Sequence, residues 1–146
     1  MPTGLSAGPS GAYHCAARIP SRVIWPPSFA YFGRRVVVIG GAGPLKSPDA
    51  DQLVIDDPRF VPRQWRAIAQ ASVDQFSACA THPAAYLSPP ALFGPGRRTG
   101  AYRRGTNRIL IDVNGESRIS AEDLAIAAMD EIENPDSGLR HFTVAY

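Results

Sequence analysis

Three stretches of this 146-residue chain carry residue types that could do chemistry. The first is "VVVIGGAGPL", residues 36–45, in which four β-branched residues run into a glycine turn, as a buried strand feeds a phosphate loop. A dinucleotide fingerprint needs Gly-x-Gly-x-x-Gly with a helix opening at the turn. Gly41 and Gly43 supply the first pair, but Lys46 stands where the third glycine belongs. Pro44 and Pro48 flank the stretch, and "SPDADQ" has no helical amphipathicity. Without a helix N-terminus no row of free N–H groups faces a pyrophosphate. The stretch therefore reads as a strand ending in a tight turn whose glycines supply positive φ.

The second stretch, "GPGRRTGAYRRGTNR", gathers Arg97, Arg98, Arg103, Arg104 and Arg108 around Tyr102. Guanidinium groups interleaved with an aromatic ring could hold single-stranded nucleic acid by charge and stacking. A solvated loop is the reading preferred here, because the net charge is only +2. The third is "YLSPPALF", where Ser88 precedes two prolines outside any Gly-x-Ser-x-Gly setting, so no hydrolase nucleophile is indicated. Cys79 and His82 have a Cys-x-x-His spacing with no second ligand pair, so no metal site is expected.

The elements that must position these residues follow from pattern and punctuation. Val36 to Ile39 is a buried strand, and Leu53 to Ile55 a second short apolar run before the turn "DDPRF". Pro62 opens a helix with Trp65, Ile68, Ser72, Phe76 and Cys79 or Ala80 along its inner face, ending before Pro83. Residues 84–88 form a strand. Residues 109–113 and 117–119 flank Asn114-Gly115, a strong local hairpin signal. Ser120, with Asp123 three residues on, caps a helix over residues 121–133. Leu124, Ala125, Ala128, Met129 and Ile132 mark its inner face, and Asp123, Asp130 and Glu131 its solvated one. "HFTVAY" closes the chain as a strand. Strands alternating with helices give an α/β layer fold. Residues 1–33, with Trp25, Phe29, Tyr31 and Phe32 among prolines, hold neither period and read as irregular.

Composition bounds the function classes. The chain is one domain long, and its 14 Pro and 13 Gly favour loops. Lys46 is the lone lysine against 14 arginines, a bias that base composition explains as readily as chemistry. Cys15 and Cys79 make no disulfide framework, no signal peptide is read, and no apolar run spans a bilayer. A cytoplasmic protein without a membrane partner is the expectation.

"RRVVVIGGAGPL", the run "YLSPPALFGPGRRTGAYRRGTNRILIDVNGESRISAEDLAIAAMDEIENP" and the closing "RHFTVAY" resemble the C-terminal half of an NAD(P)H-binding family. It comprises atypical short-chain dehydrogenase/reductase-like proteins, described as NADH-flavin reductases or NAD(P)-dependent epimerase-like proteins. The resemblance covers residues 34–146. It implies a partial Rossmann-like α/β domain: the C-terminal half of a mostly parallel sheet with flanking helices. It places Gly41, Ala42, Gly43, Ser88 and Pro89 at the cofactor and Pro90, Leu92 and Phe93 at a small-molecule or flavin substrate, and designates no catalytic residue. The family's N-terminal glycine loop has no counterpart in residues 1–33, and Pro44 stands where a small polar residue is usual. The Tyr-x-x-x-Lys pair of better-known dehydrogenases is absent too, since residues four beyond Tyr13, Tyr31, Tyr86 and Tyr102 are Ala17, Arg35, Pro90 and Thr106. The chain thus reads as a truncated oxidoreductase that alone binds NAD(P)H weakly or not at all, with self-association through an exposed sheet edge. The alternatives are a non-catalytic interaction or structural module and a nucleic-acid binder through residues 97–108.

Overall fold

The computed structural model describes residues 36–136 and 138–146. The irregular segment expected over residues 1–33, and its boundary, lie outside them. In chain order the elements are β1 (Val36–Ile39), α1 (Arg66–Cys79), β2 (Ala84–Ser88), β3 (Leu92–Gly94), β4 (Arg103–Gly105), β5 (Arg118–Ser120), α2 (Ala121–Glu133) and β6 (His141–Ala145). The main sheet runs β1-β2-β6-β4. Its first three strands are parallel, with Ile39 opposite Leu87 and Ser88 opposite Thr143, and β4 closes it antiparallel to β6. β3 and β5 form a separate parallel ribbon.

The side-chain period of two sorts β2 and β6 into two faces. Ala85, Leu87, Phe142 and Val144 turn toward α2 and meet Ile119, Leu124, Ala127 and Ala128 in the main core, with Val37 of β1 packed against it. Tyr86, Ser88, His141 and Thr143 occupy the opposite face, against α1: the Tyr86 hydroxyl donates to the Ser72 carbonyl at 3.0 Å, and the Phe76 and His141 rings lie 4.3 Å apart. A smaller cluster of Leu45, Val54 and Ile109 fills the layer beyond the strand ends, with Ala42, Phe60, Val61 and Ala91 around it. Helices on both faces of a mostly parallel sheet are what the resemblance requires.

Several local expectations hold. Ser120 has extended backbone (φ −75°, ψ 151°), and its hydroxyl accepts from the Asp123 N–H at 3.1 Å, capping α2. α1 stops at Cys79, ahead of Pro83. β2 and β6 fall where the apolar runs place them.

Others are corrected. Leu53 to Ile55 is not a strand: Val54–Asp56 is one 3₁₀ turn with Val54 and Ile55 buried, because the chain must reverse to bring the Val54 N–H to the Leu45 carbonyl at 2.7 Å. The hairpin is reduced to its turn. Asp112 accepts through its side chain from the Asn114 and Glu116 N–H groups, and Gly115 has φ +80°. Beyond the turn, β5 pairs with β3 instead of with residues 109–113. On α1, Ile68 is exposed and Ser72 and Cys79 are buried.

The largest correction concerns α2. Its apolar residues occupy two adjacent stripes, and the packed one is Leu124, Ala127 and Ala128; Met129 and Ile132 are about half exposed. Asp123 and Glu131, expected in solvent, are fully buried. Each has its compensation, as a buried charge must. Asp123 accepts from the Thr99 and Gly100 N–H groups at 2.9 and 2.8 Å and from the Tyr146 hydroxyl at 2.7 Å. Glu131 pairs with Arg104, whose guanidinium lies 4.1 Å over the Phe142 ring.

Candidate functional site at the strand ends

β1 and β2 are adjacent and parallel, so the glycine turn and the Ser-Pro-Pro corner leave the sheet at the same carboxyl edge. The Gly40 N–H donates to the Leu87 carbonyl at 2.9 Å, carrying the ladder one residue past β1. The turn then lies against α1. A β-carbon on Gly40 would stand 1.8 Å from the Tyr86 hydroxyl oxygen, and one on Gly43 would stand 2.6 Å from the Ala69 carbonyl. The glycines are there for close approach, since none in this turn has positive φ; among the described residues only Gly100, Gly115 and Gly138 do. That corrects the expectation from turn geometry. The turn also meets α1 at Ala69 and Ser72, inside the helix and past its first residue Arg66, so no helix N-terminus opens at it.

The eight residues singled out at this edge divide by exposure. Gly41 and Ala42 are half-buried, and Leu92 and Phe93 are exposed at 50% and 54%. Gly43, Ser88, Pro89 and Pro90 are buried. The last four shape the edge, and the first four leave surface at it.

Beneath the edge lies a polar group that the sequence did not reveal. The Ser88 hydroxyl and His141 Nε2 are 2.9 Å apart. Burial pushes His141 down to about 4, so the imidazole is neutral at neutral pH. The Thr143 hydroxyl, beside Ser88 in register, is buried without a hydrogen-bond partner among the described residues. The Tyr86 hydroxyl reaches the Gln75 side-chain carbonyl at 3.0 Å and accepts from the Gly41 N–H at 3.4 Å; burial raises its pKa to about 12. A period of two in both strands was visible in the sequence, but which strand lies beside which was not.

A cleft of about 460 Å³ opens next to the Ser-Pro-Pro corner. One wall is Arg59, Phe60, Pro62 and Trp65; the other is Ala91, Leu92, Ile111 and the turn from Asn114 to Ser117. The second wall is tied together by the Leu92 N–H, which donates to the Ser117 carbonyl at 3.0 Å. Phe60 and Ala91 also pack on the small cluster that includes Ala42, joining cleft and glycine turn. Leu92 is therefore the residue common to the expected substrate set and the cleft. Phe93 lies outside the lining.

The arginine run is largely spent inside the molecule. Arg103 donates to the Tyr146 carbonyl and, at 2.8 Å, to the Ile111 carbonyl. Arg104 holds Glu131, and Arg108 donates to the carbonyls of Ser47 and Ala50 and pairs with Asp51. Arg97 and Arg98 are exposed. Tyr102 donates to Asp130, and burial with that neighbour raises its pKa to about 12. Cys79 is buried, and burial pushes its thiol up. No group of three His, Cys, Asp or Glu able to hold a metal occurs among the described residues, and no described helix is long and apolar enough to cross a membrane.

No family model matches the chain. It is 35% identical over 115 residues to the protein YwnB of Bacillus subtilis (strain 168), covering 75% of this chain and 54% of that one. Among solved structures, a candidate exported protein from Burkholderia pseudomallei is 40% identical with TM-score 0.68, over 77% of this chain and 56% of its own. A candidate epimerase from Bacteroides thetaiotaomicron is 32% identical with TM-score 0.70, over 77% and 53%. A candidate NADH-flavin reductase from Streptococcus pneumoniae TIGR4 is 27% identical with TM-score 0.68, over 76% and 55%. The chain thus spans about half the length of the proteins it matches.

Proposed function

We propose that the chain, which shares a Rossmann-like fold with NADH-flavin reductase-like and epimerase-like proteins, belongs with them and supplies the nicotinamide- and substrate-facing part of an NAD(P)H-dependent oxidoreductase. One observation carries the reading: two neighbouring parallel strands end together at the carboxyl edge, where open α/β sheets bind ligands. Gly41 and Ala42 would face the nicotinamide ring with backbone alone, while Gly43, Ser88 and Pro89 fix the edge behind them. Pro90 shapes the substrate side, and Leu92 and Phe93 present apolar surface to a small-molecule or flavin acceptor. The cofactor supplies the hydride; the residues of this chain orient and exclude water.

The described residues fit the nicotinamide end of the cofactor and not its pyrophosphate, for which no helix N-terminus stands at the glycine turn. This stretch by itself therefore holds NAD(P)H weakly. Isothermal titration of NADPH and NADH into monodisperse chain tests this. A dissociation constant at or above roughly 1 mM is expected, and micromolar binding would refute it. β1 is an edge of the sheet among the described residues, and pairing there with a second copy belongs to the same proposal. So does a cytosolic location, where NAD(P)H is available.

A further inference from the structure

The cleft beside the Ser-Pro-Pro corner has a composition that selects a ligand class. Phe60, Trp65, Leu92 and Ile111 give it aromatic and aliphatic walls, and about 460 Å³ is room for a fused two- or three-ring system. Leu92 is half exposed at the cleft, and Val113, next in the chain to the lining residue Asn114, is fully exposed. Apolar side chains held open to water beside a concave surface mark a place where a ligand's apolar face gains by burial.

Its charges point the same way. Arg59 is the one cationic residue lining the cleft among the described residues, and it is already committed. Its guanidinium donates to Asp57 through Nε at 3.0 Å and through a terminal nitrogen at 2.7 Å, and to Asp49 at 2.7 and 3.0 Å. Asp57 is buried behind it and further held by the Ser47 hydroxyl at 2.8 Å, so the pairing is fixed in place. The opposite wall contributes Glu116, whose carboxylate is loosely approached by Arg118 at 3.7 Å. A phosphate entering here would meet the Glu116 carboxylate on the lining and a guanidinium already held from behind by the carboxylates of Asp49 and Asp57.

We propose that this cleft is the acceptor site, and that it takes neutral planar ring compounds while discriminating against their phosphorylated forms. The proposal deepens the oxidoreductase reading and rests on it for the word acceptor, but the binding it asserts needs no nicotinamide cofactor. Leu92 is the apolar contact, and Glu116 with the Asp49–Arg59–Asp57 group sets the charge preference.

Riboflavin and FMN make the test, because they share one ring system and differ by a phosphate. Each is titrated into the full chain without NAD(P)H and followed by flavin fluorescence, at low and at physiological salt. Riboflavin is expected to bind about tenfold tighter than FMN at low salt, with the gap narrowing as salt screens the carboxylates. Leu92→Asp should weaken riboflavin about tenfold or more; circular dichroism checks that this half-exposed position leaves the fold intact. Glu116→Lys, on an exposed side chain, should raise FMN affinity and leave riboflavin nearly unchanged. Absence of riboflavin binding, equal or tighter FMN binding, or indifference to both substitutions overturns the proposal. Micromolar NADPH binding in a separate titration would refute the weak-cofactor reading and leave this result standing.

Discussion

Gly40→Ala puts a methyl group where the Tyr86 ring already is. The added carbon would fall 1.8 Å from the phenolic oxygen and 2.1 Å from the ring carbon that bears it. Tyr86 cannot retreat, since it is fully buried, its ring lies 5.1 Å edge-on from Phe76, and its hydroxyl is tied to Ser72 and Gln75. Overpacking of this kind costs about 3 kcal/mol, at the upper end of its usual range. For a domain of this length that is a fall in Tm of about 10 °C. Tyr86→Phe alone should cost about 1–2 kcal/mol, because it leaves the Gly41 N–H without its acceptor. The informative measurement is the pair in urea titrations. The ring carbon remains when the hydroxyl is removed, so Gly40→Ala should cost nearly as much in the Tyr86→Phe background as in wild type. A neutral Gly40→Ala, or a cost that vanishes with the hydroxyl, would refute the packing argument.

Two further outcomes follow from the same structure. Ser120→Ala removes the α2 cap and a partner of the Tyr146 hydroxyl at 2.8 Å, and should lower stability by about 1–2 kcal/mol, read from urea midpoints. His141 is held near 4 when folded, below its ordinary 6.5, so the unfolded chain takes up a proton first. Stability should therefore be level above about pH 6.5 and fall as pH drops toward 4; His141→Gln should flatten that part of the profile, measured by Tm at pH 7 and pH 5.

Local signals were the legible ones. The Ser120 cap, the Asn114-Gly115 turn and the strands at 36–39, 84–88 and 141–145 depend on residues near in sequence, and they fell where the pattern put them; the burial expected of 36–39 did not follow, since β1 is an edge strand among the described residues, with Val36 to Val38 half-buried and Ile39 exposed. The inner face of α2 was not legible, because Leu124, Ala128 and Ala125, Met129, Ile132 form two apolar stripes of similar strength. What decides between them is whether Asp123 and Glu131 find donors, and those donors, Thr99, Gly100, Tyr146 and Arg104, are 23 to 27 residues away by chain. The role of the glycine turn was hidden for the same reason: positive φ and close approach demand the same residue, and only the position of α1 tells them apart. His141 and the cleft wall formed by Phe60 and Trp65 needed the strand order before they could be placed beside Ser88 and Leu92.

The arginines between β4 and the 109–113 segment also bear on how the chain reaches this structure. Arg103 meets a carbonyl 43 residues ahead, Arg104 a carboxylate 27 residues ahead, and Arg108 groups 57 to 61 residues behind. Each contact closes a long loop, whose entropy must be overcome before the bond returns anything. Arg103 and Arg104 sit on β4, a strand of three residues that among the described residues pairs with β6 alone, an element 36 or more residues further along the sequence. Closure of this region is therefore a late event, and folding should be slower than the two local helices would suggest. A chain emerging from the ribosome holds Asp51, Ser47 and their arginine partner before Glu131 and β6 exist, so the loop acquires its first anchor at the 46–51 segment and its remaining ones only once residues 131–146 have been made.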